Sequence, residues 1–136
     1  MIEYKNSVSG ITPAMMKGFF EGWERCPSDE KLLELIENSD YKLIAFDNKN
    51  SIVAGFITAV SDNVLSAYIP LLEVIPSYRG NGIGSELVRR MLETLKNFYM
   101  IDVACDNDLQ RFYEKFGMKK YSSMILRNYS KQSGSP

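Results

Sequence analysis

The chain contains no histidine. That removes Ser–His and Cys–His nucleophilic catalysis and every histidine-ligated zinc site. Only two cysteines are present, Cys26 and Cys105. Two cysteines without histidine make a structural zinc site a poor reading, so no metal is expected. They suit a reducing cytoplasm better than a disulfide framework. No apolar run approaches the ~18 residues that would mark a membrane span. Met1 is followed by Glu3 and Lys5 instead of a basic start and an apolar stretch, so no signal peptide is expected. Charge of one sign is scarce as well. A net charge of −1 gives no electrostatic reason to expect nucleic acid or an anionic membrane as partner. No internal repeat, low-complexity block or domain linker is visible. Chemistry must therefore come from carboxylates, tyrosines, backbone donors and a bound co-substrate.

What is present is an ordinary globular composition, 45% apolar and 24% charged over 136 residues. That is one domain with enough chain for a real core. The domain is read as residues 1–129, followed by a polar, fraying tail, 130–136.

The most informative stretch runs from Leu71 to Val88. Leu71–Ile75 reads as a strand end that Pro76 stops, because proline has no N–H for a ladder. Arg79-Gly-Asn-Gly-Ile-Gly84 is too glycine-rich for strand or helix interior. From Ser85 the apolar residues Leu87, Val88, Met91, Leu92 and Leu95 form one helical stripe. A glycine loop that opens a helix presents free N–H groups at the positive end of the helix dipole, an arrangement that binds phosphate. Gly80 to Ser85, including Asn81 and Ile83, would form that cradle, with Arg79 adding a charge-assisted contact. The alternative is a tight turn with an exposed arginine, but three glycines in five residues exceed what a turn needs. A Walker loop is excluded, since no lysine follows any glycine. A dinucleotide fingerprint fails because Gly84 comes one place early and Ser85 holds the sixth position.

Elsewhere the pattern alternates strand and helix signals. Ile2–Val8 is a first strand. Thr12-Pro13 opens a helix carrying Met15, Met16, Phe19, Phe20 and Trp23, although Gly18 and Gly22 weaken it. Ser28 caps a second helix with Asp29 and Glu30 in its first turn. Tyr41–Phe46 and the nearly all-apolar Ile52–Val60 are strands joined by the turn 47–50, the second of them central. Val64–Val74 is a long strand in which Pro70 implies a bulge or break. Phe98–Ala104 is a fifth strand, Asp108–Phe116 a short helix ending at Gly117, and Tyr121–Arg127 a last strand.

Arg79-x-x-Gly82-x-Gly84, preceded by Val74-x-Pro76-x-Tyr78, resembles the acyl-CoA loop of the GNAT superfamily of N-acetyltransferases. Phe112-Tyr113-x-x-x-Gly117 is similar to that family's last helix, and the resemblance covers nearly the whole chain. It implies a three-layer α/β domain: a mixed, mostly antiparallel sheet of six or seven strands with helices on both faces. It implies transfer of an acetyl group from acetyl-CoA to a primary amine of a small molecule or peptide, by direct attack in a ternary complex. A non-catalytic acyl-CoA-binding sensor with the same fold is the alternative. Backbone groups of Leu72, Glu73 and Val74 would pair with the pantetheine arm, and the N–H of Leu72 or Val74 would polarise the thioester.

Tyr113 is the expected general acid, since a phenol of pKa about 10 is protonated at neutral pH and can supply a departing thiolate; the alternative is a tyrosine that only packs with Phe112 and Phe116. Where the family often has an asparagine on the pantetheine arm, this chain has Asp106, with Asn107 one place later; either the register shifts by one or a carboxylate takes the place, and the alternative is that Asp106, Asn107 or Asp108 caps the short helix.

The general base is open between Glu73, Tyr68 and a water chain. Strand alternation puts Glu73 on the face opposite Leu72 and Val74, unless the bulge at Pro70 rotates it. Phe19, Phe20 and Trp23 either pack in the core or wall the acceptor pocket. Cys105 is not required as an acyl carrier. A homodimer is common in the resembled family, but no stretch of sequence specifies its interface.

Overall fold

The computed structural model describes all residues, 1–136. Five strands form one sheet in the order β1 (Ile2–Lys5), β2 (Tyr41–Asp47), β3 (Ile52–Ser61), β4 (Ser66–Val74), β5 (Met100–Val103). All neighbours are antiparallel except β4 and β5, which are parallel. β3 takes the centre because Val53 to Ala59 is apolar apart from Thr58; every one of these residues is buried. The helices are α1 (Asp29–Asn38), α2 (Ile83–Thr94) and α3 (Gln110–Glu114). The result is the expected mixed, mostly antiparallel α/β fold in three layers.

Each face of the sheet carries its own core. Ile57, Ala59, Ala67 and Ile69 meet Leu87, Val88 and Met91 of α2 and Tyr113 of α3. On the other face Ile44, Val53 and Phe56 meet Leu32 and Ile36 of α1 together with Ile11, Met16 and Phe20. Ser28 caps α1 as its sequence implies, its Oγ accepting from the Lys31 N–H at 3.1 Å.

Three segments depart from the sequence reading. Residues 13–26 form no continuous helix. Only Pro13–Met15 makes a 3₁₀ turn, and the chain then turns through positive φ at Gly18, Phe20 and Gly22. Two glycines free to take the left-handed region defeat a helix that an apolar stripe alone suggested. Tyr121–Arg127 forms no strand. It is exposed and has no ladder partner, so the sheet has five strands, not six or seven. The tail after it is docked: Tyr129–Lys131 makes a 3₁₀ turn, and Gln132 Oε1 accepts from the Arg25 N–H at 3.1 Å.

No helix is long and apolar enough to cross a membrane, and no cluster of acidic and cysteine side chains is arranged to hold a metal ion.

Candidate active site

The site begins with the way β4 leaves the sheet. Its pairing with β5 covers only Ser66–Ile69 against Met100–Val103. The next residue is Pro70, which has no N–H to offer a ladder. At the same place the β3–β4 register shifts between Thr58 and Val60, so that Ile69 and Pro70 together oppose Ala59, a β-bulge. Beyond it, residues 70–74 keep β3 as a neighbour and lose β5. The expected break at Pro70 is thus both a bulge and the start of a gap in the sheet.

The backbone groups facing that gap follow from the ladder. Ile75 N–H donates to Ala54 O at 2.9 Å, and antiparallel pairs alternate between bonded and non-bonded. Glu73 therefore bonds β3, while the N–H and C=O of Leu72 and Val74 point toward the gap. The Val74 carbonyl is already engaged by Arg79 Nε at 2.9 Å. The Leu72 pair and the Val74 N–H remain.

The glycine loop closes one end of the gap. Gly80 and Gly82 have φ of +82° and +78°, a region in which a side chain costs about 1–2 kcal/mol. Six consecutive amides, Gly80 to Ser85, donate to no acceptor in the protein; the first bond of α2 runs from the Glu86 N–H to Gly82 O. These donors are gathered at the positive end of a 12-residue helix, so the loop meets the requirement for an anion such as a pyrophosphate. Arg79 is placed differently from a free phosphate ligand. Besides bonding Val74 O, it lies 3.7 Å from Glu21, so it ties the loop to the strand end and to residues 18–23.

α3 closes the other side. A methyl group placed on Gly84 would meet Val74 Cγ2 at 3.8 Å and Phe112 Cζ at 3.9 Å, so strand end, loop and last helix converge at one point. Tyr113 is buried, 6% exposed, and its hydroxyl has no hydrogen-bond partner. Burial, with a smaller contribution from nearby Cys105, pushes its pKa up to about 12. The Cys105 thiol is itself raised by burial and by Asp106 and Asp108, which disfavours the nucleophilic thiolate. Asp106 and Asn107 are exposed. Asp106 stands at the N-cap position without a side-chain capping bond, so neither residue is committed to the capping role.

Glu73 lies on the opposite face from Leu72 and Val74, as alternation requires. That face is where residues 18–23 pack. Glu73 Oε1 accepts from the Phe20 N–H at 3.1 Å. Phe20 holds φ at +63°, a costly conformation for an aromatic residue that commonly marks a functional site. Burial raises the Glu73 pKa, partly offset by that bond and by Arg79, while Glu21 raises it further. Tyr68, the other candidate base, is partly exposed on the far side of the bulge; the structure does not bring it to Glu73.

Around Glu73 stand the three aromatics named from sequence. Phe20 packs on Trp23 at 4.5 Å and on Phe56 at 6.5 Å, and Phe19 meets Phe56 edge-on at 5.1 Å. Phe20 is core, whereas Trp23 lines a cleft of about 340 Å³ with Arg25, Tyr129 and Gln132. A larger cleft, about 480 Å³, lies between α1, the bulge and the tail, and Thr58, Pro70, Leu71 and Ser133 are among its lining. Thr58 Oγ1 is buried without a partner.

Sequence reasoning passed over Thr58 and two supports. Gly55 faces the Glu73 carbonyl across the sheet so closely that a Cβ would sit 2.9 Å from it. Asp47 receives the Tyr78 hydroxyl and the Asn50 amide at 2.8 Å, linking the β2–β3 turn to the residue before Arg79. Only the Asp-Asn-Lys-Asn composition of that turn hinted at Asp47.

Comparison with known proteins adds independent findings. The profile of the Acetyltransferase (GNAT) family matches residues 9–118. The crystal structure of a presumed acetyltransferase from Deinococcus radiodurans R1 superposes with a TM-score of 0.95 at 42% identity, over 99% of this chain and 94% of that one. N-alpha-acetyltransferase 30 of Schizosaccharomyces pombe is 28% identical over 94 residues, 62% of this chain and 61% of that protein. An uncharacterized N-acetyltransferase, ycf52 of Pyropia yezoensis, is 29% identical over 103 residues, 73% and 59% respectively. The chain spans about three-fifths of the length of these two curated relatives.

Proposed function

The chain belongs to the GNAT acetyltransferase family, and from that premise we propose that it moves an acetyl group from acetyl-CoA to the primary amine of a small molecule or peptide, by direct attack in a ternary complex. The observation that carries this reading is the meeting of six unpartnered amides and an unpaired strand edge along one gap, with Tyr113 in the core on one face of the sheet and Glu73 bonded to Phe20 on the other. Acetyl-CoA supplies an activated thioester. The residues of this chain hold it, orient it and move protons.

The amides of Gly80–Ser85 hold the pyrophosphate at the N-terminus of α2. The free backbone groups of Leu72 and Val74 pair with the pantetheine arm as an added strand would. One N–H of that edge stabilises the developing oxyanion, a role that needs a donor fixed before reaction. Glu73 takes the proton of the incoming ammonium. Its raised pKa suits a base, because a carboxylate of ordinary pKa is too weak to deprotonate an amine efficiently. Tyr113 gives its proton to the departing thiolate. Its pKa of about 12 keeps it protonated through the neutral range. Glu73 and Tyr113 together favour turnover over a binding-only module. The amine approaches from the face of Phe19, Phe20 and Trp23.

Thermal unfolding with acetyl-CoA, against ATP and NAD as controls, tests the premise on cofactor. At ~100 times Kd a ligand adds about 2.7 kcal/mol, a rise of roughly 5–10 °C for a chain of this size. A rise with ATP or NAD and none with acetyl-CoA would overturn the reading. An amine panel followed by thiol release then tests transfer itself.

A further inference from the structure

One buried side-chain hydroxyl has no partner in the fold, and it lines a cleft. Thr58 sits in β3 with no exposed surface, and its Oγ1 makes no hydrogen bond. A buried hydroxyl left unpaired destabilises a fold, and native proteins hold few of them. Valine has nearly the same shape without the polar atom, and β3 already carries it at Val53 and Val60. The packing of the strand therefore gives no reason for a hydroxyl at this position. The cleft beside it does.

Thr58 stands opposite Leu71 across the β3–β4 ladder, and Phe56 stands opposite Glu73. Side chains share a face at every second residue, so Thr58 and Glu73 lie on the same side of the sheet as α1. They are diagonal neighbours there, about 7–8 Å apart at the backbone. At the Thr58 end lies the cleft of about 480 Å³, with Leu35, Val60, Pro70 and Leu71 among its apolar lining. A volume of that size suits a small molecule. Its two charged lining residues, Lys31 and Glu34, neutralise each other at 2.9 Å. Its other hydroxyls are engaged: Ser39 Oγ donates to Leu35 O at 2.8 Å, and Ser133 Oγ accepts from the Ser135 N–H at 3.3 Å. The cleft thus offers apolar walls, one free buried hydroxyl and no unbalanced charge.

We propose that the acceptor is an amphipathic primary amine whose only charge is the amine itself, and that Thr58 selects it by bonding a neutral hydroxyl or amide close to that amine. This inference rests on the acetyl-transfer reading above. The amine reaches Glu73, the neutral polar group reaches Thr58 Oγ1, and the apolar body packs on Leu35, Val60 and Leu71. An amine with only carbon at the middle position excludes water from Thr58 and leaves its hydroxyl unpaired, which a polar site penalises. A second ammonium or a carboxylate loses its hydration against apolar walls and finds no free countercharge. An amino alcohol and an amino amide share the required chemistry, and the test separates them.

The probes are leucinol, leucinamide, the amine in which a methyl group replaces the leucinol hydroxyl, leucine and putrescine. Thiol release from acetyl-CoA gives kcat/KM for each, and calorimetric titration into the protein with coenzyme A gives binding without turnover. Leucinol or leucinamide should exceed the methyl analogue about tenfold, the worth of one neutral hydrogen bond; whichever leads identifies hydroxyl or amide. Thr58→Val should shrink that margin to about twofold or less and leave the KM for acetyl-CoA unchanged. It should unfold at no lower temperature than the parent, because no bond is lost. Thr58→Ser keeps the hydroxyl and should keep the margin. A margin that survives Thr58→Val, no margin in the parent, or a preference for leucine or putrescine would overturn the proposal. If the valine variant does not fold, the parent's preference within the matched pair decides. No thiol release with any amine would overturn the acetyl-transfer reading instead, and the calorimetric margin would still decide the role of Thr58.

Discussion

Replacing Glu73 by glutamine separates the charge of this residue from its place in the fold. The glutamine Oε1 can still accept the Phe20 N–H, now at 3.1 Å, so Phe20 keeps its strained backbone and the aromatic cluster stays assembled. What is lost is the ability to take a proton. General-base catalysis contributes 10²–10⁴-fold, and water can replace part of it, so kcat should fall about 10²–10³-fold, or roughly 2.7–4.1 kcal/mol of barrier. The Michaelis constant for acetyl-CoA should not change, because Glu73 side-chain atoms lie on the face away from the strand edge proposed to hold it.

The same substitution has a signature in stability. Burial raises the folded-state pKa of Glu73, so the fold favours the neutral carboxyl. The linked stability is fully present below the ordinary carboxylate pKa and is lost as pH rises through the raised value. At pH 7.5 the glutamine variant should therefore unfold at a higher temperature than the parent, and the difference should vanish near pH 4. Steady-state rates from pH 5 to 9 with one amine, paired with thermal melts, measure both effects. The acidic limb of kcat should disappear in the variant. A kcat within about threefold of the parent, or an unchanged acidic limb, would refute Glu73 as the base.

Three further outcomes follow from the geometry. Tyr113→Phe should lower kcat on the order of 10²-fold with little change in melting temperature, because the hydroxyl has no partner to lose; an unchanged kcat would remove Tyr113 as the acid. Gly55→Ala should cost about 1–3 kcal/mol by overpacking, since the new Cβ lies 2.9 Å from the Glu73 carbonyl and 3.3 Å from Leu87 Cδ1; denaturant unfolding measures it, and a neutral effect would mean the β3–β4 contact is looser than described. Asp47 is held well below the usual carboxylate range, first by the Tyr78 hydroxyl and then by Asn50. Its stabilisation is therefore present above about pH 4 and lost as pH falls further; Asp47→Asn should lower the neutral-pH melting temperature and flatten the acid limb of stability, and an acid limb as steep as the parent's would place that dependence elsewhere.

The parts of this protein legible in its sequence are those with short-range causes. The glycine spacing of 80–84 requires a loop, the stripe from Leu87 to Leu95 requires a helix with one buried face, and the apolar run 52–60 requires a strand covered on both sides. Ser28 and Pro70 announced a cap and a bulge because their chemistry acts on the nearest backbone. Tertiary structure decided what depends on neighbours far along the chain. The stripe Met16–Trp23 has helical spacing, but Gly18 and Gly22 together with packing on Phe56 made it a series of turns. That outcome placed the Phe20 N–H on Glu73, 53 residues away, and turned a carboxylate of unclear orientation into the candidate base. Gly55 and Thr58 carry no local signal, since only the opposite strand and the uncovered cleft give them meaning. Tyr121–Arg127 shows the converse: its residues favour a strand, but a strand exists only where an edge is available to pair with it. Local chemistry chooses the conformation a segment prefers, whereas the contacts that reward it are set by the whole fold.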